Sequence, residues 1–413
     1  MPKQDFKPPK PNSAFRALAN ACVSYALRMR DVVDVDTPPK DLDKLKSLSR
    51  ERVMLLPNHP TNTEPAILFN LGDRAGTLFH FVACREAFDH VAGLWGWLIQ
   101  RLGAYSIVRG ALDRPSFNMT KQLLARPGGK VVIFPEGEVY SQNDSLLPFQ
   151  SGVIQLAFWA LDEARKQDFL ADVMLLPIAI RYRFVQDMRQ PILESIQRLE
   201  VAMGIRVVPE DDVYVRIRRV GEAVVVRLEK QFELPALPEA TLDPRIERIK
   251  RTLLERAANI ARVELKAGSL PEQMRAVINA VHQVVQPEPT YRTDYDQRLW
   301  EEERNHIQPA LHELDRLSNW IAVYDGYVAE NPSPERVVHL LVRMEKEILG
   351  SVVIRGKQRA HVRIADPIPL SEYGAAYQEN KRETVAQVTK RVEESVQALL
   401  LKMAEMTPGE RPN

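Results

Sequence analysis

Two textures of apolar and polar positions divide this chain. Up to about residue 190, short apolar runs alternate with amphipathic stretches. Val53-Met-Leu-Leu56 predicts a buried strand, and Ala66-Ile-Leu-Phe69 predicts the start of a helix with Pro65 at its first position. Strands are predicted again at 76–83, 103–109, 130–134 and 173–180, the last apolar throughout as a central strand should be. Helical patterning fills the gaps: Arg85 onward through 91–99, Ser116 to Arg126 before Pro127-Gly-Gly, and Gly152 to Arg165. This alternation predicts an α/β fold, a layered mixed sheet flanked by helices.

Beyond about Pro191 the period changes. Val213, Ile217, Val220, Val224, Leu228 and Phe232 recur at helical spacing despite Gly221. Glu233-Leu-Pro-Ala-Leu-Pro-Glu239 reads as a stiff linker. Helices are predicted over 245–266, over 271–285 up to Pro287-Glu-Pro289, over 295–327 with an interruption near Pro309, and over 334–349. A hairpin is predicted from 351–354 through the Arg355-Gly-Lys357 turn to 360–364. A charged helix from Glu372 to Met406 ends the pattern. The organisation expected is an N-terminal amphipathic helical segment over 1–50, an α/β domain over 51–190, a large additional helical region over 191–350, and a C-terminal helix within 371–413.

Composition narrows the class. With 413 residues, 45% apolar and 27% charged, the chain is globular and long enough for two or three domains. A net charge of +1 argues against a nucleic-acid partner, which calls for a strongly basic surface. Cys22 and Cys84 are too few for a disulfide framework and suit a reducing, cytoplasmic setting. No Cys/His cluster has metal-ligand spacing, so neither a metal nor a cofactor is expected, and His306 and His312 read as solvated surface. No apolar run is long enough to span a bilayer, and nothing near the N-terminus has the pattern of a secretory leader. Phe15, Leu18, Cys22, Val23, Ala26 and Leu27 form one stripe of a helix over 13–30. That stripe suits a membrane interface or packing on the protein's own core. Trp95 and Trp97 suit an interfacial patch, a lipid groove or a core contact.

Candidate chemistry concentrates at Pro57-Asn-His-Pro-Thr-Asn-Thr-Glu-Pro65. Pro65 places Glu64 as the helix N-cap, with its anion favoured by the helix dipole. His59 sits in the loop just before, and across a turn the two side chains can meet. A carboxylate on one ring nitrogen sets the tautomer and raises the basicity of the other. By itself such a pair is commonplace in loops.

Four strand-end motifs in order sharpen the reading: Asn58-His59 with Glu64; Gly103, Ser106, Ile107 and Arg109; Phe134-Pro-Glu-Gly137; and the apolar strand around Pro177. Together with Phe149-Gln-Ser-Gly152, they resemble the glycerolipid acyltransferase superfamily, whose members include the 1-acylglycerol-3-phosphate (lysophosphatidate) acyltransferases. The resemblance covers about 53–183. A further echo at Asp366-Pro-Ile suggests that a strand near 351–370 completes the catalytic sheet and that the helical region is an insertion. Two departures stand out. Glu64 replaces the family's Asp, and Glu138-Val-Tyr140 replaces its Thr-Arg, setting an anion beside the polar-substrate pocket.

The resemblance implies a glycerol-3-phosphate acyltransferase-like fold and an O-acyltransferase in phospholipid biosynthesis. The donor would be acyl-CoA or acyl carrier protein, and the acceptor the hydroxyl of a lysophospholipid. His59 would be the base and Glu64 its orienter. Arg109 would clamp the acceptor's anion, Arg85 is a second candidate for that task, and Glu136 and Gly137 would line the acceptor pocket. The protein would be peripheral on the cytoplasmic face of a membrane. A different acceptor, an amino-acid lysolipid or a glycolipid, is kept open by Glu138. A lipid-binding scaffold without catalysis is the reading from another class.

Overall fold

The computed structural model describes residues 6–109, 113–139, 143, 146–235, 237, 241–285, 293–321, 323–329 and 333–405. Tyr140, the Pro287-Glu-Pro289 stop, residues 236, 238 and 239 of the linker and Met406 lie outside them. The chain divides into two units, Asp5–Arg183 with Gln358–Asn413, and Phe184–Lys357.

The first unit opens with α1 (Ser13–Arg28), capped by Asn12, whose side chain accepts the Phe15 N–H. Val23 and Leu27 of its apolar stripe are buried, while Leu18 stays 63% exposed. Two elements follow that the apolar pattern did not predict, β1 (Val32–Asp36) and α2 (Pro39–Ser47). Then come β2 (Arg52–Pro57), α3 (Glu64–Arg74), β3 (His80–Cys84), α4 (Leu94–Arg101), β4 (Ala104–Ile107), α5 (Arg114–Ala125), β5 (Lys130–Val132), α6 (Ser151–Arg165) and β6 (Val173–Phe184).

Boundaries shift where backbone chemistry intervenes. Strand β3 starts at His80 rather than Gly76, because Gly76 (φ 69°) turns the chain out of α3. The helix expected from Arg85 through 99 is a 3-10 turn over Arg85–Phe88 and then α4. Val91, Ala92 and Gly93 take left-handed φ values between the two.

The second unit is helical among its described residues: α7 (Arg189–Ala202), α8 (Val213–Gln231), α9 (Leu242–Ala261), α10 (Leu270–Val285), α11 (Asp294–Trp320) and α12 (Pro334–Leu349). Helix α11 runs unbroken through Pro309. Ile307, Ala310, Leu314 and Leu317 are buried on both sides of the proline. Their burial offsets the ~3 kcal/mol that an internal proline costs. The expected hairpin is absent. Residues 351–354 form no strand, and the Val353 and Ile354 N–H groups donate instead to Glu345 Oε2 at 2.6 and 2.8 Å.

The chain returns to the first unit as β7 (Gln358–Ile364), paired in parallel with β1, and β8 (Ile368–Pro369), antiparallel to β6. The single C-terminal helix expected is divided. A 3-10 turn over Leu370–Tyr373 and α13 (Gly374–Glu379) precede α14 (Lys381–Glu405), and Asn380 breaks the helix while its Oδ1 accepts the Glu383 N–H.

The resulting mostly parallel sheet has the order β1-β7-β6-β2-β5-β3-β4, with β8 beside β6. Alternate residues of its central strands enter different layers. Met54, Leu56, Leu175 and Ala179 pack with α5, α6 and α14, while Val53, Leu55, Ile178, Ile180 and Tyr182 pack with α1, α2 and α3. Helices on both faces explain why β2 is buried from end to end. This is the layered α/β fold the sequence pattern calls for.

Candidate active site

Strands β2, β5, β3 and β4 pair in parallel, so their C-terminal ends open on one edge of the sheet, where α/β folds place their sites. The loops leaving those four ends carry His59, Glu136, Arg85 and Arg109.

The first loop is anchored by Asn58. This residue is 1% exposed, and its side chain continues the sheet: Oδ1 accepts the Ile180 N–H at 2.7 Å, and Nδ2 donates to the Ile180 carbonyl at 2.9 Å. The next residue is thereby held just past the sheet. His59 stacks on Phe134 with ring centroids 3.9 Å apart, and its Nδ1 lies 2.7 Å from Glu64 Oε2. The imidazole–carboxylate pair foreseen from the spacing forms, with one correction. Thr63 is the N-cap and Glu64 the first residue of α3, since Pro65 occupies the second helical position. Glu64 is fully buried, whereas the His59 side chain keeps 15% exposure. A buried carboxylate on Nδ1 holds the proton there and leaves the Nε2 lone pair as the basic atom. Among the described residues, Nε2 has no hydrogen-bond partner.

Glu136 takes a place that its motif did not disclose. It is 5% exposed. Its Oε1 accepts the His59 N–H at 2.8 Å, and its Oε2 accepts the Leu147 N–H at 2.9 Å. The expectation that Glu136 lines a pocket gives way to a different task, tying the His59 loop to the chain after β5. Gly137 supports this turn with φ 78°, where a β-carbon would run into the Gln150 side chain.

Burial pushes the Glu136 carboxyl up to about 7, against the Leu147 and His59 N–H groups and the His59 ring, which favour the anion. The folded protein therefore holds this proton between the ordinary 4.5 and about 7, where the unfolded chain has released it. Stability from this group is full below pH 4.5 and is lost as pH rises through 7, by at most about 3 kcal/mol. Replacing Glu136 with Gln removes that slope. Denaturant unfolding at pH 5 and pH 8 should find the two proteins differing by about 2 to 3 kcal/mol more at one pH than at the other. Parallel stability curves would contradict it.

Arg109 and Arg85 are both engaged. Arg109 Nη1 lies 2.6 Å from Glu138 Oε1, and Nη2 lies 3.9 Å from Glu86 Oε1. Arg85 Nη1 pairs with Asp89 at 2.7 Å across the 3-10 turn. The anion that Glu138 was expected to bring is thus seated on the arginine that the resemblance assigns to the acceptor. Cys84, at the base of this group, has its thiol pushed up to about 11 by burial and the Glu86 charge, which makes it a poor nucleophile.

Three further residues complete the site, two of them, Tyr182 and Asn143, outside every motif. Thr61 Oγ1 donates to Glu64 Oε1 at 2.6 Å, Tyr182 OH donates to the same oxygen, and Asn143 clamps the backbone of Tyr182 as Asn58 does that of Ile180. The only signal in the sequence for Tyr182 was that a tyrosine between two arginines, Arg181 and Arg183, extends an otherwise apolar strand.

Among the described residues, no group of His, Cys, Asp or Glu is arranged to hold a metal, and no helix is long and apolar enough to cross a membrane.

What the fold and geometry define is an α/β domain whose parallel strand ends carry a reachable imidazole backed by a buried carboxylate. Residues 40–181 match the family model described as Acyltransferase. The match supports an acyltransferase-family domain over this stretch, in keeping with the glycerolipid acyltransferase superfamily, and a generic acyltransferase role. No curated protein matches the chain. The match spans about a third of the chain and does not reach the helical unit.

Proposed function

We propose that the protein transfers a fatty acyl group from acyl-CoA or acyl carrier protein to the hydroxyl of a lysophospholipid such as 1-acylglycerol-3-phosphate, as a step in phospholipid biosynthesis. The observation that carries this reading is the 2.7 Å contact between His59 Nδ1 and the buried Glu64 inside the matched domain. His59 Nε2 takes the acceptor's hydroxyl proton as that oxygen attacks the thioester carbonyl. Collapse of the intermediate breaks the C–S bond, and the imidazolium returns its proton to the departing thiolate. No acyl-enzyme is involved, and the reaction needs no cofactor beyond the acyl donor itself.

Thioester cleavage followed by free-thiol release tests this. Release that depends on added 1-acylglycerol-3-phosphate supports the reading. Release only with other hydroxyl acceptors moves the assignment to one of those, and no release with any acceptor leaves a lipid-binding scaffold.

A second acceptor class is favoured by one specific observation. Arg109 sits between two carboxylates, Glu138 at 2.6 Å and Glu86 at 3.9 Å, so a phosphate reaching it must compete with an anion already in place. An acceptor with a less negative head group, such as an amino-acid lysolipid or a glycolipid, meets no such competition.

Work on lipid substrates suits a peripheral position on the cytoplasmic face of a membrane. Helices α1 and α4 meet through Phe15 and Trp97, 5.5 Å apart, with Arg101 over the Trp97 ring. Beside them Leu18, Leu94 and Trp95 are 63%, 61% and 46% exposed. Exposed aromatic and aliphatic groups with a cation, Arg101, beside them fit the interface of an anionic bilayer. The protein is expected to pellet with phosphatidylglycerol-containing liposomes, and a Leu94→Ala/Trp95→Ala variant to lose at least about threefold in bound fraction. Wild-type protein left in the supernatant would remove this part of the proposal.

A further inference from the structure

Glu64 is held by far more than the imidazole. Its Oε1 accepts from Thr61 Oγ1 at 2.6 Å and from Tyr182 OH, while the Thr61 N–H lies 3.1 Å from each carboxylate oxygen. Thr61 Oγ1 in turn lies 3.0 Å from Thr63 Oγ1. The carboxylate is fully buried, so each of these donors acts without competition from water.

The cradle answers a problem of length. A glutamate carries one more methylene than an aspartate and one more rotatable bond, so its carboxylate samples more positions from the same helical site. A general base loses efficiency steeply when its orienting partner moves. Two hydroxyls converging on Oε1, with the Thr61 N–H shared between both oxygens, leave Oε2 facing His59 Nδ1. Tyr182 is suited to this because it projects from the face of β6 that packs on α3, and Asn143 fixes its backbone from both sides. Burial and the Glu64 charge keep its phenol protonated far above neutral pH, so it is a permanent donor.

We infer that Tyr182, with Thr61, is a positioning residue for the His59–Glu64 pair, holding the longer carboxylate where an aspartate would otherwise be required. This inference rests on the acyltransferase reading above and adds Tyr182, which lies outside the four motifs, and Thr61, which the first motif spans without assigning it a role. The described titratable groups around the pair are Tyr182 from β6 and Glu136 from the loop after β5, with Glu64 itself from α3. Only Tyr182 donates a side-chain hydrogen bond to Glu64 among them.

The test uses the full-length protein and Tyr182→Phe, which keeps the ring and removes the donor. With one donor gone, Glu64 presents more negative charge to the imidazole, and the imidazolium becomes more favourable. Turnover with the best acceptor is expected to fall by about tenfold or more, with the thioester's apparent KM within about twofold. The acid limb of the pH–rate profile should move upward by about half a unit or more. A role in stability alone would lower Tm and leave that limb in place. Combined with Glu64→Ala, Tyr182→Phe should cost almost nothing further, because the group it positions is gone.

A second readout separates this inference from the reading it rests on. NMR titration of the His59 ring, compared between wild type and Tyr182→Phe, reports the cradle whether or not any acceptor turns over. An upward shift without turnover keeps the cradle and removes the acyl-transfer reading. Normal turnover with an unmoved titration and unmoved profile overturns the cradle. Should Tyr182→Phe fail to fold, Thr61→Val poses the same question from the other hydroxyl.

Discussion

Replacing His59 with Ala should abolish acyl transfer while the fold persists. Among the described residues, the imidazole is the one basic group at these strand ends that combines a buried orienting carboxylate with an exposed edge. Its loss removes general-base catalysis worth on the order of 10²–10⁴ in turnover. The ring adds little to the core, since its stacking partner Phe134 is itself packed against the core on the α3 face of the sheet. Circular dichroism and thermal unfolding should therefore match wild type within a few degrees while thioester cleavage falls to background. A variant with wild-type turnover would take the base away from residue 59 and with it the proposed mechanism. Glu64→Ala should lie close behind, and the double variant no lower than His59→Ala, because the two groups act as one unit.

The second large effect is expected on acceptor choice. Glu138→Thr frees Arg109 from its 2.6 Å partner and leaves Glu86, 3.9 Å away, as its carboxylate partner among the described residues. A charge-assisted hydrogen bond to an ionised group contributes roughly 1.5–3 kcal/mol, about 10- to 100-fold in binding. A phosphate-bearing acceptor no longer has to displace Glu138, so its kcat/KM should rise by about that factor. An uncharged acceptor, which makes no call on Arg109, should move by less than about threefold. Acceptor-dependent thiol release with 1-acylglycerol-3-phosphate beside 1-monoacylglycerol measures both. Equal changes for the two acceptors would mean that Arg109 does not meet the head group. The outcome also decides between the two acceptor classes, since a wild type that already prefers the phosphate would show that Glu138 yields to it readily.

Much of the site could be read from order and spacing because its chemistry is local. His59 and Glu64 are five residues apart across one turn, and the proline after the glutamate sets the backbone that lets them meet. Arg109 and Glu138 were legible as a cation and an intruding anion from motif positions alone. Glu136 was harder. Its motif marked it, but its partners are backbone N–H groups of His59 and Leu147, and backbone atoms leave no residue-type signal. Tyr182 and Asn143 were invisible as site residues because the site lies far from them along the chain, 118 residues in the case of Tyr182 and Glu64; Thr61 stood inside the His59–Glu64 stretch, but nothing in its residue type marked it as a donor to Glu64.

The same division applies to the fold. Period-2 and period-3.6 patterns marked the central strands and most helices, since burial on both faces makes a continuous apolar run and burial on one face makes a stripe. Strand β1, with the pattern Val-Val-Asp-Val-Asp, escaped notice because an edge strand is buried only in part. The supposed hairpin failed for a related reason. Residues 358–364 have strand chemistry, but their partner is β1 at the other end of the chain rather than the neighbouring run.

The sequence by itself therefore determined the layered α/β class, the acyltransferase resemblance and the imidazole–carboxylate pair, because each depends on residue types at short, fixed spacing. Tertiary structure alone decided that β7 and β8 close the sheet after a helical unit, that Glu136 secures the His59 loop, that Glu138 occupies Arg109, and that Tyr182 grips Glu64. Each of those is a contact between residues distant along the chain, and parallel pairing brings such residues to one edge without leaving a periodic trace in the order of the amino acids.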